Sequence, residues 1–174
     1  MQESGISAAE ALSLLELAQT ASRAQALPDL AESFLHSLER LVHTPAAVLY
    51  LADPAPPDQT FFQKGLPPET VPIVRSQCAA QFQSDPTNAK LQSVLIPLIH
   101  SKEARLSLSP LHGPQKVPGL LGVVLPEHRS DIARILVDKA IPLLAYSLRQ
   151  IIDRLEYERQ ISNLNIYLNV SSMI

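Results

Sequence analysis

The sequence predicts an α+β domain with a central antiparallel sheet of about five to six strands, flanked by helices and followed by a long C-terminal helix. Two amphipathic helical segments precede the first apolar strand segment. The later strand segments are joined by short links, which favour antiparallel pairing. No glycine interrupts the helical pattern after Ser130. With 174 residues, 46% of them hydrophobic, the chain can bury one sizeable core.

The first two helices are predicted from their start signals. Ser7 followed by Glu10 is a capping-box pattern, and apolar residues then recur at helical spacing to about Gln25. Pro28 suits the first turn of a second helix, because the N–H that proline lacks would have no partner there. We expect this second helix to end near His43.

Five segments are predicted to be strands, and a third helix lies between the second and the third of them. The strand segments are residues 47–51, 60–63, 93–100, 105–109 and 120–125. Pro67 and Pro68 are expected to introduce the helix that carries Cys78. Residues 101–103 are interpreted as the link between the third and fourth strands. Because proline has no N–H for a sheet ladder, Pro97 predicts a bulge or an unpaired side in the third strand.

The C-terminal helix is expected to begin at Ser130 and to continue to the end of the chain. About 42 residues of helix span roughly 60 Å, so much of this helix must project beyond one small domain. Pro142 removes one backbone donor, which predicts a kink. Beyond Leu155 the apolar spacing resumes on a shifted face at Ile161 and Leu164, which indicates a coiled-coil seam with a break in register.

Composition excludes several classes of protein. The net charge is −3 and no long basic run is present, which disfavours nucleic acid as a ligand. The first ten residues have no basic start or apolar signal segment, and the longest apolar runs are far shorter than the roughly 20 residues that a membrane-spanning helix needs. The single cysteine fits a reducing compartment. We therefore expect a cytoplasmic protein without a membrane partner.

Four stretches, taken in order, resemble the GAF domain. Residues 27–51 resemble the second helix of that family leading into its first strand, and residues 93–98 resemble its apolar strand with a proline. Residues 119–125 are similar to the strand that follows, and residues 131–158 to the closing helix. A PAS-like domain is the nearest competing fold, but two helices before the first strand favour GAF.

The resemblance implies a cavity on one side of the sheet and a homodimer joined through the N- and C-terminal helices. We divide the chain into an N-terminal dimer helix (residues 1–26), a GAF-like domain (27–148) and a linker helix (149–174). Residues 164–174 resemble the first helix of another such domain, so a downstream effector in the same chain is expected. Modules of this family usually precede histidine kinases, cyclic-nucleotide or cyclic-dinucleotide enzymes, or transcription activators.

A ligand cavity would be lined by apolar side chains and a few polar groups. By their positions, the candidate lining residues are Phe62, Gln77, Gln81, Ile96 and Ser107. Whether an unidentified small molecule occupies the cavity or side chains fill it stays open. The signature of the cyclic-nucleotide-binding members is not found in this sequence, and no cofactor is expected.

No catalytic constellation is visible, so we expect the chain not to be an enzyme. Cys78 is the only thiol and is most simply a core residue. His36 and His43 would share a helix face, but two nitrogens without a third ligand make a poor metal site. The preferred hypothesis is a sensory or regulatory domain that dimerises and relays a signal through its last helix. The alternatives are a ligand-free dimerisation or scaffold module and, third, a small redox enzyme that uses Cys78.

Overall fold

A computed structural model describes residues 6–52, 60–84, 92–98, 101–112, 117–127 and 130–172. Within these residues the chain forms an α+β domain with a long C-terminal helix, which confirms the predicted class. The elements in chain order are α1 Ala8–Arg23, α2 Leu27–Val42, β1 Ala47–Leu51, β2 Phe61–Lys64, α3 Val71–Ser84, β3 Gln92–Leu98, β4 Ser101–Pro110, β5 Gly119–Val124 and α4 Ser130–Ser172.

The strands of the described residues form one antiparallel sheet in the order β2-β1-β5-β4-β3. β5 lies at its centre, and β1 lies between β5 and β2, so that Leu49 is opposite Phe62 on one side and opposite Leu121 on the other. β2 and β3 each pair with a single strand, so they form the edges of the described sheet.

The ends of the first two helices follow from their capping residues. The Ser7 hydroxyl accepts a hydrogen bond from the Glu10 N–H at 3.2 Å, and the Glu10 carboxylate accepts one from the Ser7 N–H at 2.9 Å. This reciprocal pair is the predicted capping box, and it satisfies two N–H groups at the start of α1. α2 has Pro28 in its first turn and ends at Val42, where His43 adopts a left-handed conformation.

Two predicted boundaries differ from the structure. α3 begins only at Val71, because Pro67 belongs to a preceding turn in which its carbonyl accepts the N–H of Thr70 at 2.9 Å. Residues 101–103, interpreted as a link, are the first residues of β4. Their polar side chains suggested a loop, but strand pairing depends on backbone hydrogen bonds, which polar residues form equally well. Residues 53–59 and 85–91, which follow β1 and α3, lie outside the described residues.

Pro97 lies at an irregularity of the β3–β4 ladder. Ile96 pairs with Ala104, whereas Leu98 pairs with Ser101, so two steps along β3 correspond to three along β4. Of the two predicted alternatives, a bulge or an unpaired side, this shift in register fits the bulge. Such a bulge accommodates a residue that has no N–H to donate to the ladder.

The sheet separates two apolar layers. On one face α1, α2 and α4 pack together over β1 and β5, with the largest buried side chains at Leu17, Phe34, Leu38, Leu49 and Leu121. On the other face α3 packs through Val74 and Cys78 over β1 and β5, in a layer that also contains side chains of β4. The larger layer therefore contains the helices from both ends of the chain.

α4 belongs to the domain over its first half only. Its buried residues run from Ala133 to Ile152, and residues 153–172 are all exposed. The helix passes through Pro142 without ending. It is also continuous across the predicted boundary at residue 148, so the division of the chain stays a prediction. Among the described residues, no helix is long and apolar enough to cross a membrane.

Candidate ligand pocket and signalling helix

The sheet divides the five residues predicted to line a cavity. Ile96 is buried on the α3 face, whereas Phe62 packs against the layer of α1, α2 and α4. Ser107 pairs with Val123, which packs in the layer of α1, α2 and α4. Paired residues share a face of the sheet, so Ser107 also lies on the face away from α3. On α3, Gln77 is exposed and Gln81 is half-buried. The five residues therefore do not line one common cavity, and a ligand contact by any of them stays a prediction.

The layer between α3 and the sheet is packed with the protein's own side chains. Val74 and Cys78 are fully buried there, together with Leu106 of β4. The rings of Tyr50 and Phe82 approach at the border of this layer with centroids 6.3 Å apart and a tilt of 56°, which is a favourable aromatic arrangement. The resemblance to GAF domains implied a ligand cavity on one side of the sheet. Packing of this kind favours a filled core on the α3 face.

Cys78 has the environment of a structural residue. Its side chain has 0% exposure, and burial raises the pKa of the thiol to about 12. The thiolate is the nucleophilic form of cysteine, so a thiol that stays protonated near neutral pH is a poor nucleophile. A redox mechanism through Cys78 has no support from this geometry.

A groove of about 560 Å³ lies between α2 and the edge strand β2. It is lined by Pro28, Glu32, Leu35, His36, Phe61, Phe62, Gln63 and Lys64, so Phe62 is the one predicted lining residue that it contains. Near one end, the Lys64 ammonium lies 2.6 Å from the Glu39 carboxylate and also contacts His36. Because Lys64 is paired with Glu39, its positive charge is largely neutralised, and Glu32 remains as an exposed acidic residue of the lining.

The two histidines considered as metal ligands do not converge. His36 is exposed on α2 beside Lys64, whereas His43 lies past the end of that helix in a left-handed conformation. Groups of three or more residues able to hold a metal ion are not found among the described residues.

The projecting half of α4 exposes a series of large apolar side chains. They are Leu155, Tyr157, Ile161, Leu164, Ile166, Tyr167, Leu168 and Val170. On the domain itself, α1 exposes Leu12 and Leu15. Apolar side chains at this density along an exposed helix usually pack against another helix. The sequence pattern predicted the shifted spacing at Ile161, Leu164 and Leu168, but only the structure shows where α4 leaves the core.

No protein-family model matches the chain, and no curated protein matches it. Solved structures of GAF domains do match. The GAF domain of the Acinetobacter phosphoenolpyruvate-protein phosphotransferase is 17% identical with a TM-score of 0.56, and the match covers 83% of this chain and 95% of that one. The native GAF domain of the potassium sensor histidine kinase KdpD from Escherichia coli is 16% identical with a TM-score of 0.55, and the match covers 84% of this chain and 98% of that one.

These matches extend over nearly the whole of both GAF domains. At identities of 16–17%, the structural similarity shows the fold alone. The chain has the GAF fold.

Proposed function

We propose that this chain is a regulatory GAF-fold domain that forms a homodimer through α1 and α4 and relays a signal along α4 to an effector farther along the chain. The observation that carries the proposal is the exposed half of α4. Residues 153–172 extend about 30 Å beyond the last buried turn. A helix that extends beyond its own domain cannot bury its apolar side chains against that domain.

The apolar residues of α4 form two stripes on different sides of the helix. The core-facing stripe contains the buried Leu144, Leu148 and Ile151 and continues in line to the exposed Leu155. The projecting stripe contains Tyr157, Ile161, Leu164 and Leu168. At 3.6 residues per turn, the second stripe lies about 140° around the helix from the first. The projecting stripe is therefore not a continuation of the core contact. Its alternating spacing of four and three residues is typical of a coiled-coil seam between two helices.

α1 supplies a second part of the proposed interface. It packs against α4 within the domain and exposes Leu12 and Leu15. A two-fold dimer in which α1 and α4 of each protomer form a bundle would bury these residues together with the stripe of α4. The N- and C-terminal helices of this fold would then act as one interface.

The regulatory role is supported by the proteins that carry similar domains, which are a phosphotransferase and a sensor histidine kinase. A change in the packing around the sheet would reach α4 through the shared layer of α1, α2 and α4. The two stripes are a candidate for the bistable element of such a relay, because they favour different helix pairings. The single free cysteine fits a reducing compartment, which supports a cytoplasmic location.

A ligand-free dimerisation module is the second candidate function. The packed layer between α3 and the sheet favours it, since buried side chains such as Val74 and Cys78 fill the space next to that helix. The two candidates share the dimer and differ in whether a small molecule is bound. A native mass spectrum of the purified chain would separate them, because it reports retained small molecules together with the oligomeric mass.

Light scattering on residues 1–174 tests the dimer itself. A mass of about twice 19.0 kDa is expected for the unaltered chain. Leu164→Glu places a charge in the proposed seam and should weaken the dimer at least about tenfold, because a buried unpaired charge is costly. Asn163→Glu adds the same charge away from both stripes and should leave the dimer intact. A monomeric parent chain, or equal effects of the two variants, would refute the proposed interface.

A further inference from the structure

A second pocket, separate from the groove beside α2, lies where α1 ends against α4. Its volume is about 400 Å³, within the range of pockets that hold small molecules. It is lined by Ala21, Ser22, Arg23, Ala24, Gln25, Ser147, Gln150, Ile151 and Arg154. The pocket thus spans the last turn of α1, the residues after it and the part of α4 where that helix leaves the core.

The lining of this pocket is layered. Ala21, Ser147 and Ile151 are buried and form its floor, while Arg23 and Arg154 are exposed at its rim. The floor thus combines two apolar side chains with one hydroxyl, and charged groups lie above it. Most of the lining surface is polar, which suits a polar ligand.

The charge of the lining is entirely positive. Two arginines line the pocket and no acidic residue does. Nearby on α4, Arg149 forms a salt bridge with Asp153 at 2.8 Å, and neither residue lines the pocket. The carbonyl end of α1 has only about half a negative charge. Two full positive charges outweigh it, so the pocket favours an anion.

Ser147 adds a hydroxyl to the floor of the pocket. Its side chain is only 5% exposed, yet its hydroxyl has no hydrogen-bond partner among the described residues. Ser13, Thr20 and Ser171 on the helices of this same chain donate to the carbonyl four residues earlier. Ser147 does not, although its helix offers the same carbonyl. The Ser147 oxygen is not among the fully enclosed unpaired atoms of the described residues, so it opens to the pocket and can bond water or a bound molecule.

We infer that this pocket binds the phosphate group of a small soluble molecule. Guanidinium groups match phosphate oxygens geometrically and through charge. Two arginines attract a doubly charged phosphate more strongly than a singly charged carboxylate. The Ser147 hydroxyl would donate to a third oxygen, and Gln25 and Gln150 offer amide donors at the rim.

The position of the site suggests what binding would do. A phosphate held by Arg23 and Arg154 would clamp the end of α1 to α4, two residues beyond the last buried residue of α4. This regulatory consequence rests on the proposed function, whereas the binding itself does not. The two proposals can therefore fail separately in one protein sample, since mass reports the dimer and phosphate titration reports the site.

Two-dimensional amide NMR of residues 1–174 tests the site, with inorganic phosphate and glycerol phosphate as probes at constant ionic strength. Saturable shifts are expected in the segments 21–25 and 147–154, with glycerol phosphate binding at least as tightly as inorganic phosphate. Arg23→Gln and Arg154→Gln should each raise the dissociation constant about fivefold or more. Arg149→Gln is the matched control, because it removes the same charge from the same helix outside the pocket.

Ser147→Ala separates a binding role from a structural one. The hydroxyl has no partner among the described residues, so its removal should leave the melting temperature unchanged or raised while phosphate affinity falls. Shifts that do not saturate, or an equal loss of affinity in Arg149→Gln, would overturn the site. A melting temperature that falls in Ser147→Ala with unchanged affinity would remove Ser147 from it.

Discussion

The Lys64 ammonium lies 2.6 Å from the Glu39 carboxylate and joins the edge strand β2 to helix α2. Lys64 also contacts His36 of the same helix, which lies beside Glu39. The Lys64 and Glu39 side chains are both more than one-third exposed, so water screens the pair. The contact therefore orients β2 relative to α2 but contributes little to the free energy of unfolding.

From this screening we predict that Glu39→Gln lowers the free energy of unfolding by less than about 1 kcal/mol. Urea unfolding at low and at high salt measures the effect, which should become smaller at high salt. A double-mutant cycle with Lys64→Met isolates the coupling between the two residues. A loss well above this value would mean that the pair is shielded from solvent in a way that the observed exposure contradicts.

Helix and strand positions could largely be predicted from the sequence, because they depend on local patterns. The capping box of Ser7 and Glu10, the left-handed residue that ends α2 and the bulge at Pro97 all have chemical causes within a few residues. The start of β4 could not be predicted. Its first residues are polar, and only their pairing with β3 makes them a strand.

The candidate lining residues were less predictable because their positions depend on how the strands pair and not on local sequence. Neighbouring residues of a strand point to opposite faces, so an error of one in the register moves a side chain to the other layer. Phe61 packs on the α3 side and Phe62 on the side of α2. No local pattern distinguishes these two phenylalanines. The α1–α4 pocket depends on residues about 125 positions apart, such as Arg23 and Ser147, and sequence spacing carries no signal for it.

Cys78 predicts a dependence of stability on alkaline pH. Burial raises the pKa of its thiol from 9.0 to about 12 in the folded chain. The folded protein therefore retains the proton that the unfolded chain begins to release near pH 9. The resulting stabilisation is fully present below pH 9 and is lost progressively as the pH rises toward 12. Between pH 8 and pH 10 we expect this residue to account for a loss of about 1 kcal/mol.

Urea unfolding of the parent chain and of Cys78→Ala across this pH range measures the Cys78 contribution. Lysine and tyrosine residues also titrate here, so the difference in slope between the two proteins is the quantity of interest. The variant should lose stability more slowly with rising pH. Parallel pH profiles would show that the thiol ionises in the folded state as easily as in water.

Gly65 is predicted to be intolerant of any side chain. It has φ of 80°, and a Cβ at this position would overlap the carbonyl oxygen of Pro45. Gly65→Ala should lower the free energy of unfolding by at least about 1 kcal/mol. Gly65→Asn distinguishes the two causes, because asparagine tolerates positive φ but brings the same Cβ. We expect Asn to be as harmful as Ala, whereas a clear rescue by Asn would leave backbone strain as the only cause.

The two stripes of α4 predict a specific pattern of cross-linking between protomers. In a Cys78→Ala background, cysteines at Leu164 and Ile166 report different pairings, since Leu164 lies on the projecting stripe and Ile166 continues the core-facing one. If α4 exchanges between two registers, both variants should form disulfide-linked dimers under mild oxidation, while Asn163→Cys on neither stripe should form few. Denaturing gels without reductant measure the three yields. Cross-linking at Leu164 alone would indicate one fixed coiled coil and remove the basis for a register relay, and equal yields at all three positions would mean that the helices share no defined seam.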